Sequence, residues 1–276
     1  MSDRDSNRDP GGRSNGGADG GDQPAAGFIT RTAPVFDTVE QERTHRLERL
    51  AGVCRLFGRA GYSEGLLGHV TVRDPEFPDR LWANPMGVSF SRMRVSDIVQ
   101  IDHEGRLLQG DRPVNPVGVL LHAAVHRARP DVVAMCHAHS TYGSAWSSFA
   151  HPVEPITQDT AVFFGRQAII TEPRVARDAA QADLFAAAFG DKLVAIQSGH
   201  GIFTTGHTID EAAWWFMSMD RACQVQLLAR AAGEPERWPD EMAAGLSRGL
   251  GSPEFGWLSF QTVWDEIVDS DPDLFD

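Results

Sequence analysis

Two short apolar runs, VVAMC at 132–136 and KLVAIQ at 192–197, each lead straight into a histidine-bearing segment, HAHS at 137–140 and SGHG at 198–201. Runs of this length, bounded by Pro130 and Asp131 or by Gly190 and Asp191, read as buried strands. A chain built this way must bring polar, ligand-type side chains to the ends of buried strands. In H-A-H, side chains two apart on an extended segment point to the same side, so His137 and His139 can reach one metal ion. His200 stands in a Gly-His-Gly turn, where flanking glycines allow close backbone approach, and can supply a third nitrogen. Three histidines with open positions make a catalytic rather than a closed structural site. An H-x-H pair by itself is equally compatible with surface or hydrogen-bonded histidines; the second strand ending in a histidine is what favours ligation.

The remaining pattern alternates helix and strand. Helices are expected from Val39 to about Gly61, from Gly118 to Arg129, over 175–189, and from Ile209 to Ala232 with Thr208 at its start. Strands are expected at 69–74, 80–84 and 97–102, the last three forming an antiparallel meander. Ser140 is placed to cap a helix following HAH. Helices on both faces of a mixed, largely antiparallel sheet follow from this order. Residues 1–36, dominated at first by Gly, Asp, Arg, Ser and Asn, are expected to be a disordered tail, and 37–276 one domain with a C-terminal helical extension.

A net charge of −13 argues against nucleic acid or an anionic membrane as partner. The three cysteines, Cys54, Cys136 and Cys223, lie far apart and read as buried thiols of a reducing compartment. With no membrane-length apolar run and a polar leader, the expected location is the cytoplasm.

Other histidines carry weaker signals. His122 and His126 share a helix face; His126 reads as a surface or helix-packing residue, whereas His122 is balanced between that role and lining the pocket as a proton donor or acceptor. His69 opens a strand at the pocket edge, and a structural role is its plainer reading. His45, His103, His151 and His207 lie in polar contexts, and Trp214 and Trp215 read as core or subunit contacts. No glycine-rich phosphate loop is present.

Through residues 40–232, and most specifically through NPVGVLLHAAVHRARPDVVAMCHAHS at 115–140, the chain resembles the class II aldolase/adducin family. The resemblance implies a three-layer α/β/α domain with a central mixed, largely antiparallel sheet. It also implies one divalent metal on His137, His139 and His200, and a homotetramer with active sites near subunit interfaces. The chain departs from the family's sugar-phosphate aldolases where chemistry is done. Their acid/base Glu corresponds to Gly118, and their phosphate-holding Ser-Ser pair to Pro116 and Val117. Their other phosphate-gripping stretches correspond to Gly68-His69 and Asn84-Pro85-Met86-Gly87, which leaves Gly68, His69 and Asn84 as substrate-binding candidates.

Loss of the Glu removes a proton shuttle of the kind that contributes about 10²- to 10⁴-fold. A site of three neutral imidazoles suits an α-keto acid on a Lewis acid, or dioxygen chemistry at ferrous iron. Within the family the chain is similar to the branch of prenylated hydroxyphenylpyruvate oxygenases of clorobiocin and novobiocin biosynthesis. That resemblance implies Fe(II), O2 and oxidative decarboxylation of an aromatic α-keto acid, with His122 as the catalytic histidine; Phe163 and Phe164, or Trp82, could supply an apolar wall for the ring, although core packing is their simpler reading. The alternative is a zinc or manganese lyase acting on an unphosphorylated hydroxy or keto acid, with His122 or Asp159 as substitute base. A second alternative is a non-catalytic assembly module of the adducin type.

Overall fold

The computed structural model describes residues 31–173 and 176–276. Most of the expected tail, residues 1–30, lies outside the described residues, and so does the first position of the helix expected over 175–189. In chain order the elements are α1 (Val39–Arg59), β1 (His69–Arg73), β2 (Arg80–Ala83), β3 (Val99–Asp102), β4 (Leu107–Gln109), α2 (Pro116–Ala128), β5 (Ala134–Ala138) and α3 (Thr141–Ser147). They continue with α4 (Gln158–Ala161), β6 (Gln167–Ile170), α5 (Ala179–Phe189), β7 (Val194–Gln197), β8 (Gly201–Gly206), α6 (Ile209–Ala232), α7 (Asp240–Gly249) and α8 (Pro253–Ser270).

Helix starts follow local chemistry. Thr38 and Gln41 form a reciprocal capping box on α1, and the Thr208 hydroxyl accepts from the Glu211 amide at the start of α6. Asn115 caps α2 ahead of Pro116, which sits where a missing N–H costs nothing, so α2 begins before the expected Gly118. Ser140 does stand at the N-cap of α3, but its hydroxyl makes no cap bond.

The strands form a single eight-stranded sheet in the order β4-β3-β2-β1-β5-β8-β7-β6. Among the described residues only the β6–β7 pair is parallel. Alternation along the central strands separates two cores. Val70, Val72 and Cys136 pack against Leu50 and Phe57 of α1 and Phe216 of α6. Met135, Ala195 and Phe203 face the other way, against Leu121 of α2 and Phe185 of α5. Helices thus cover both faces, giving the three-layer α/β/α arrangement of mixed, largely antiparallel sheet. No helix among the described residues is long and apolar enough to cross a membrane.

The strand expected at 132–136 is displaced by two residues. Val132 belongs to the turn after α2, its carbonyl accepting from the side chains of Arg73 and His126, so pairing starts at Ala134 and His137 lies inside β5. There His137 stands opposite His69 of β1 on one side and Phe203 of β8 on the other.

Candidate metal centre

His137 is the most constrained of the three expected ligands. Its Nδ1–H donates to the Ile202 carbonyl at 2.8 Å, and its ring stacks on Phe203 with centroids 4.0 Å apart. That bond fixes the tautomer and leaves Nε2 bearing a lone pair. Nε2 is buried, and among the described residues no donor or acceptor reaches it. His139, two residues on, emerges from β5 on the same side, and His200 comes from the tight β7–β8 turn, where Gly199 adopts φ +64°. The His200 Nδ1 is likewise buried without a partner among the described residues.

The three rings stand 4.8–5.2 Å apart between centroids, and one donor nitrogen from each lies within 4.8 Å of the others. Tetrahedral nitrogens on bonds of about 2.1 Å are about 3.4 Å apart, so the trio fits a divalent ion after a contraction of at most about 1.4 Å. Burial holds the rings in the ligating, neutral form. It pushes His137 well below the ordinary histidine value, lowers His139, and brings His200 to about 4. Orphaned buried nitrogens, neutral rings and convergence from two chain segments make this donor set suited to a metal ion.

Beside the trio lies a second histidine group. The His69 ring sits 4.8 Å from that of His137, and its Nδ1 is 2.8 Å from Nε2 of His122. Nδ1 of His122 meets the Thr71 hydroxyl at 2.8 Å, and the same hydroxyl lies 3.0 Å from Nε2 of His126. His126 is therefore no surface residue: it is fully buried and closes this chain at the Val132 carbonyl. His122 is also fully buried, one ring removed from the cleft, with His69 between it and the trio. Gly118 explains the crowding, because a Cβ there would stand 2.1 Å from Cδ2 of His69. The imidazole of His69 occupies the space into which a side chain at 118 would grow.

His69, Gly68 and Asn84 line one cleft together with Leu66, Met86 and Phe90. Gly68 has φ +100°, and a Cβ there would press to 3.1 Å from the Phe90 ring, so any side chain at this position would be strained. The Asn84 carbonyl oxygen accepts from the Val70 amide at 2.8 Å, tying the cleft wall to β1. The apolar wall is not made by the aromatics expected from sequence. Phe163 is fully buried against Trp215, Phe164 lies under the Arg237 guanidinium, and Trp82 is buried with its Nε1–H on Asp74. Leu66, Met86, Val88 and Phe90 take that place. Asp159, on α4, is exposed and faces Arg221, and no contact links it to the histidines among the described residues. Sequence reasoning missed Glu64, whose charge acts on His139 against the effect of burial. Its only signal was a carboxylate in the glycine-rich loop preceding His69.

Residues 48–227 match the family model described as the class II aldolase and adducin N-terminal domain. Over 249 residues the chain is 41% identical to the protein named decarboxylase NovR of Streptomyces niveus, covering 88% of this chain and 92% of that one. It is 39% identical to a protein of Streptomyces roseochromogenus subsp. oscitans named 4-hydroxy-3-prenylphenylpyruvate oxygenase/4-hydroxy-3-prenylbenzoate synthase, covering 88% and 89%. Among solved structures, L-fuculose 1-phosphate aldolase from Glaciozyma antarctica PI12 superposes with a TM-score of 0.82 at 36% identity, covering 89% and 97%. A sheet of this order, a histidine trio at its strand ends and matches of this length place the chain in the class II aldolase/adducin family.

Proposed function

We propose that the chain is a non-haem Fe(II) oxygenase that carries out oxidative decarboxylation of an aromatic α-keto acid of the prenylated hydroxyphenylpyruvate type. The observation that carries the reading is the donor set: three neutral imidazoles, two with buried nitrogens lacking a partner among the described residues, and Gly118 at the position of the sugar-phosphate aldolases' Glu. A bound divalent metal supplies Lewis acidity toward an α-keto acid and, as ferrous iron, electrons for dioxygen chemistry. The protein's part is to hold His137 in one tautomer through Ile202, to keep the rings neutral, and to offer an apolar rim at Leu66, Met86 and Phe90 for the aromatic end of the substrate. His69 and Asn84 contact the substrate in this reading, and His122 acts behind His69. The names of the two Streptomyces relatives support the same chemistry. A homotetramer is the proposed assembly, with the exposed Leu66 and Leu67 beside the cleft available to a neighbouring subunit.

Anaerobic purification followed by metal analysis tests this directly. Stoichiometric iron, with oxygen uptake on addition of 4-hydroxyphenylpyruvate or its 3-prenyl derivative, is the expected result. The second reading, a zinc or manganese lyase for an unphosphorylated hydroxy or keto acid, is favoured by the likeness to the fuculose-phosphate aldolase structure. Full zinc occupancy with CO2 release or retro-aldol cleavage but no oxygen uptake establishes that reading instead.

A further inference from the structure

The chain His69–His122–Thr71–His126–Val132 has a direction, and the direction decides what His69 offers the cleft. A carbonyl oxygen only accepts, so the 3.2 Å contact with Val132 puts the His126 proton on Nδ1. Arg73 also approaches that nitrogen at 3.3 Å, but its guanidinium protons have better acceptors in the carbonyls of His126 at 2.7 Å, Val132 at 3.0 Å and Arg129 at 3.1 Å. His126 Nε2 then accepts from the Thr71 hydroxyl, whose oxygen accepts from His122 Nδ1–H. His122 Nε2 is left as an acceptor, and His69 must donate to it from Nδ1. Each neutral imidazole has one donor and one acceptor, so the sequence leaves a lone pair on Nε2 of His69, whose ring lines the cleft.

We propose that His69 is the hydrogen-bond acceptor of this cleft, taking a hydroxyl or enol O–H of the substrate on Nε2, and that Thr71, His122 and His126 are positioning residues that hold it in that tautomer. A neutral acceptor next to a metal site selects a protic group and disfavours phosphate or a second carboxylate, which bring only acceptors. The inference rests on the keto- or hydroxy-acid reading above only for the choice of ligand; the tautomer is a property of the protein. Its atomic basis is the close fit of the His69 ring over Gly118, where an added Cβ would stand 2.1 Å from the ring.

The experiment uses the full chain loaded with zinc, which is diamagnetic, and labelled with 15N-histidine. Long-range proton–nitrogen correlation, with His69 assigned by its loss in His69→Gln, is expected to show Nδ1 protonated and Nε2 bare. Thr71→Val, which cuts the chain, is expected to mix the two tautomers of His69, and Thr71→Ser to restore the single one. A proton on Nε2 in the parent protein, or a tautomer indifferent to Thr71→Val, overturns the proposal whether or not the protein consumes oxygen. Calorimetry then compares phenyllactate with its O-methyl ether: His69→Phe is expected to reduce the preference for the free hydroxyl about tenfold, the scale of one hydrogen bond, at unchanged zinc content. An equal preference in both proteins removes His69 as the acceptor. Failure of phenyllactate to bind at all counts against the keto- or hydroxy-acid reading and leaves the tautomer to decide this one.

Discussion

Six of the ten histidines of this chain gather around β1 and β5, and they divide into two triplets with opposite habits. In the group of His69, His122 and His126, ring nitrogens are joined to one another through Thr71 and finish on a backbone carbonyl. In the group of His137, His139 and His200, Nε2 of His137 and Nδ1 of His200 are buried with no partner among the described residues. Burial lowers the pKa of all six, so burial and neutrality do not distinguish ligand from scaffold. What does is that Nε2 of His137 and Nδ1 of His200 are enclosed without a partner among the described residues, whereas the ring nitrogen left open in the other group, on His69, belongs to a ring that lines the cleft. A buried lone pair left open costs stability unless something else, such as a cation, is there to take it.

The largest expected effect breaks the open triplet. His137→Ala and His200→Ala each remove a donor and are expected to weaken metal binding by more than the roughly 10- to 100-fold that changes behind a ligand produce. Metal analysis after gel filtration, with circular dichroism to show the fold retained, is the measurement; full metal content in either variant removes that residue from the site. Next comes the closed triplet. His126→Leu leaves the Thr71 hydroxyl short of a partner and is expected to cost about 1–3 kcal/mol in denaturant unfolding, with metal content unchanged.

That cost has a pH signature. Burial, with the Arg73 charge adding to it, lowers His126 to about 3 in the folded state, against an ordinary value of 6.5. The unfolded chain therefore binds the extra proton first as pH falls, so His126 contributes its full stabilisation above about 6.5 and loses it progressively toward about 3. The difference between His126→Leu and the parent should shrink over that window; a constant difference from pH 7 to pH 4 contradicts the assignment.

A smaller effect is expected from Gly118→Ala, which sharpens the comparison by crowding His69, its Nε2 included, without touching the open triplet. The added Cβ meets the His69 ring at 2.1 Å, and about 1–3 kcal/mol of crowding is set against nearly 1 kcal/mol of improved helix propensity. A thermal midpoint that rises shows the ring free to move. The smallest effect belongs to the exposed His151, whose replacement by Ala should leave stability within about 0.5 kcal/mol and metal content untouched.

The open triplet was readable from the chain because strand periodicity places His137 and His139 on one side, and a Gly-His-Gly turn marks His200. The closed triplet was not. His126 follows His122 at helical spacing on a helix that pattern alone leaves half surface, and nothing local says that Thr71, more than fifty residues away, stands between the two rings. β8 escaped notice because Gly201, Thr204, Thr205 and Gly206 mask a fully buried strand, and β6 because Gln167 interrupts its apolar face. The aromatic wall was misplaced for a related reason: Phe163 and Trp82 carry the composition of a binding surface, but packing against Trp215 and a bond to Asp74 take them into the interior.

The pairing of His69 with His137 across two antiparallel strands has an evolutionary corollary. Because side chains alternate with a period of two, sliding β1 by a single residue would carry His69 and Thr71 into the greasy layer beneath α1 and α6, and bring Val70 and Val72 out among the imidazoles. Insertions and deletions in the Gly61–Gly68 loop can be absorbed before the strand begins, whereas an odd-numbered change within the strand erases the chemistry and the packing at one stroke. Variation in length among descendants of this chain should therefore pile up ahead of Gly68 and stop there.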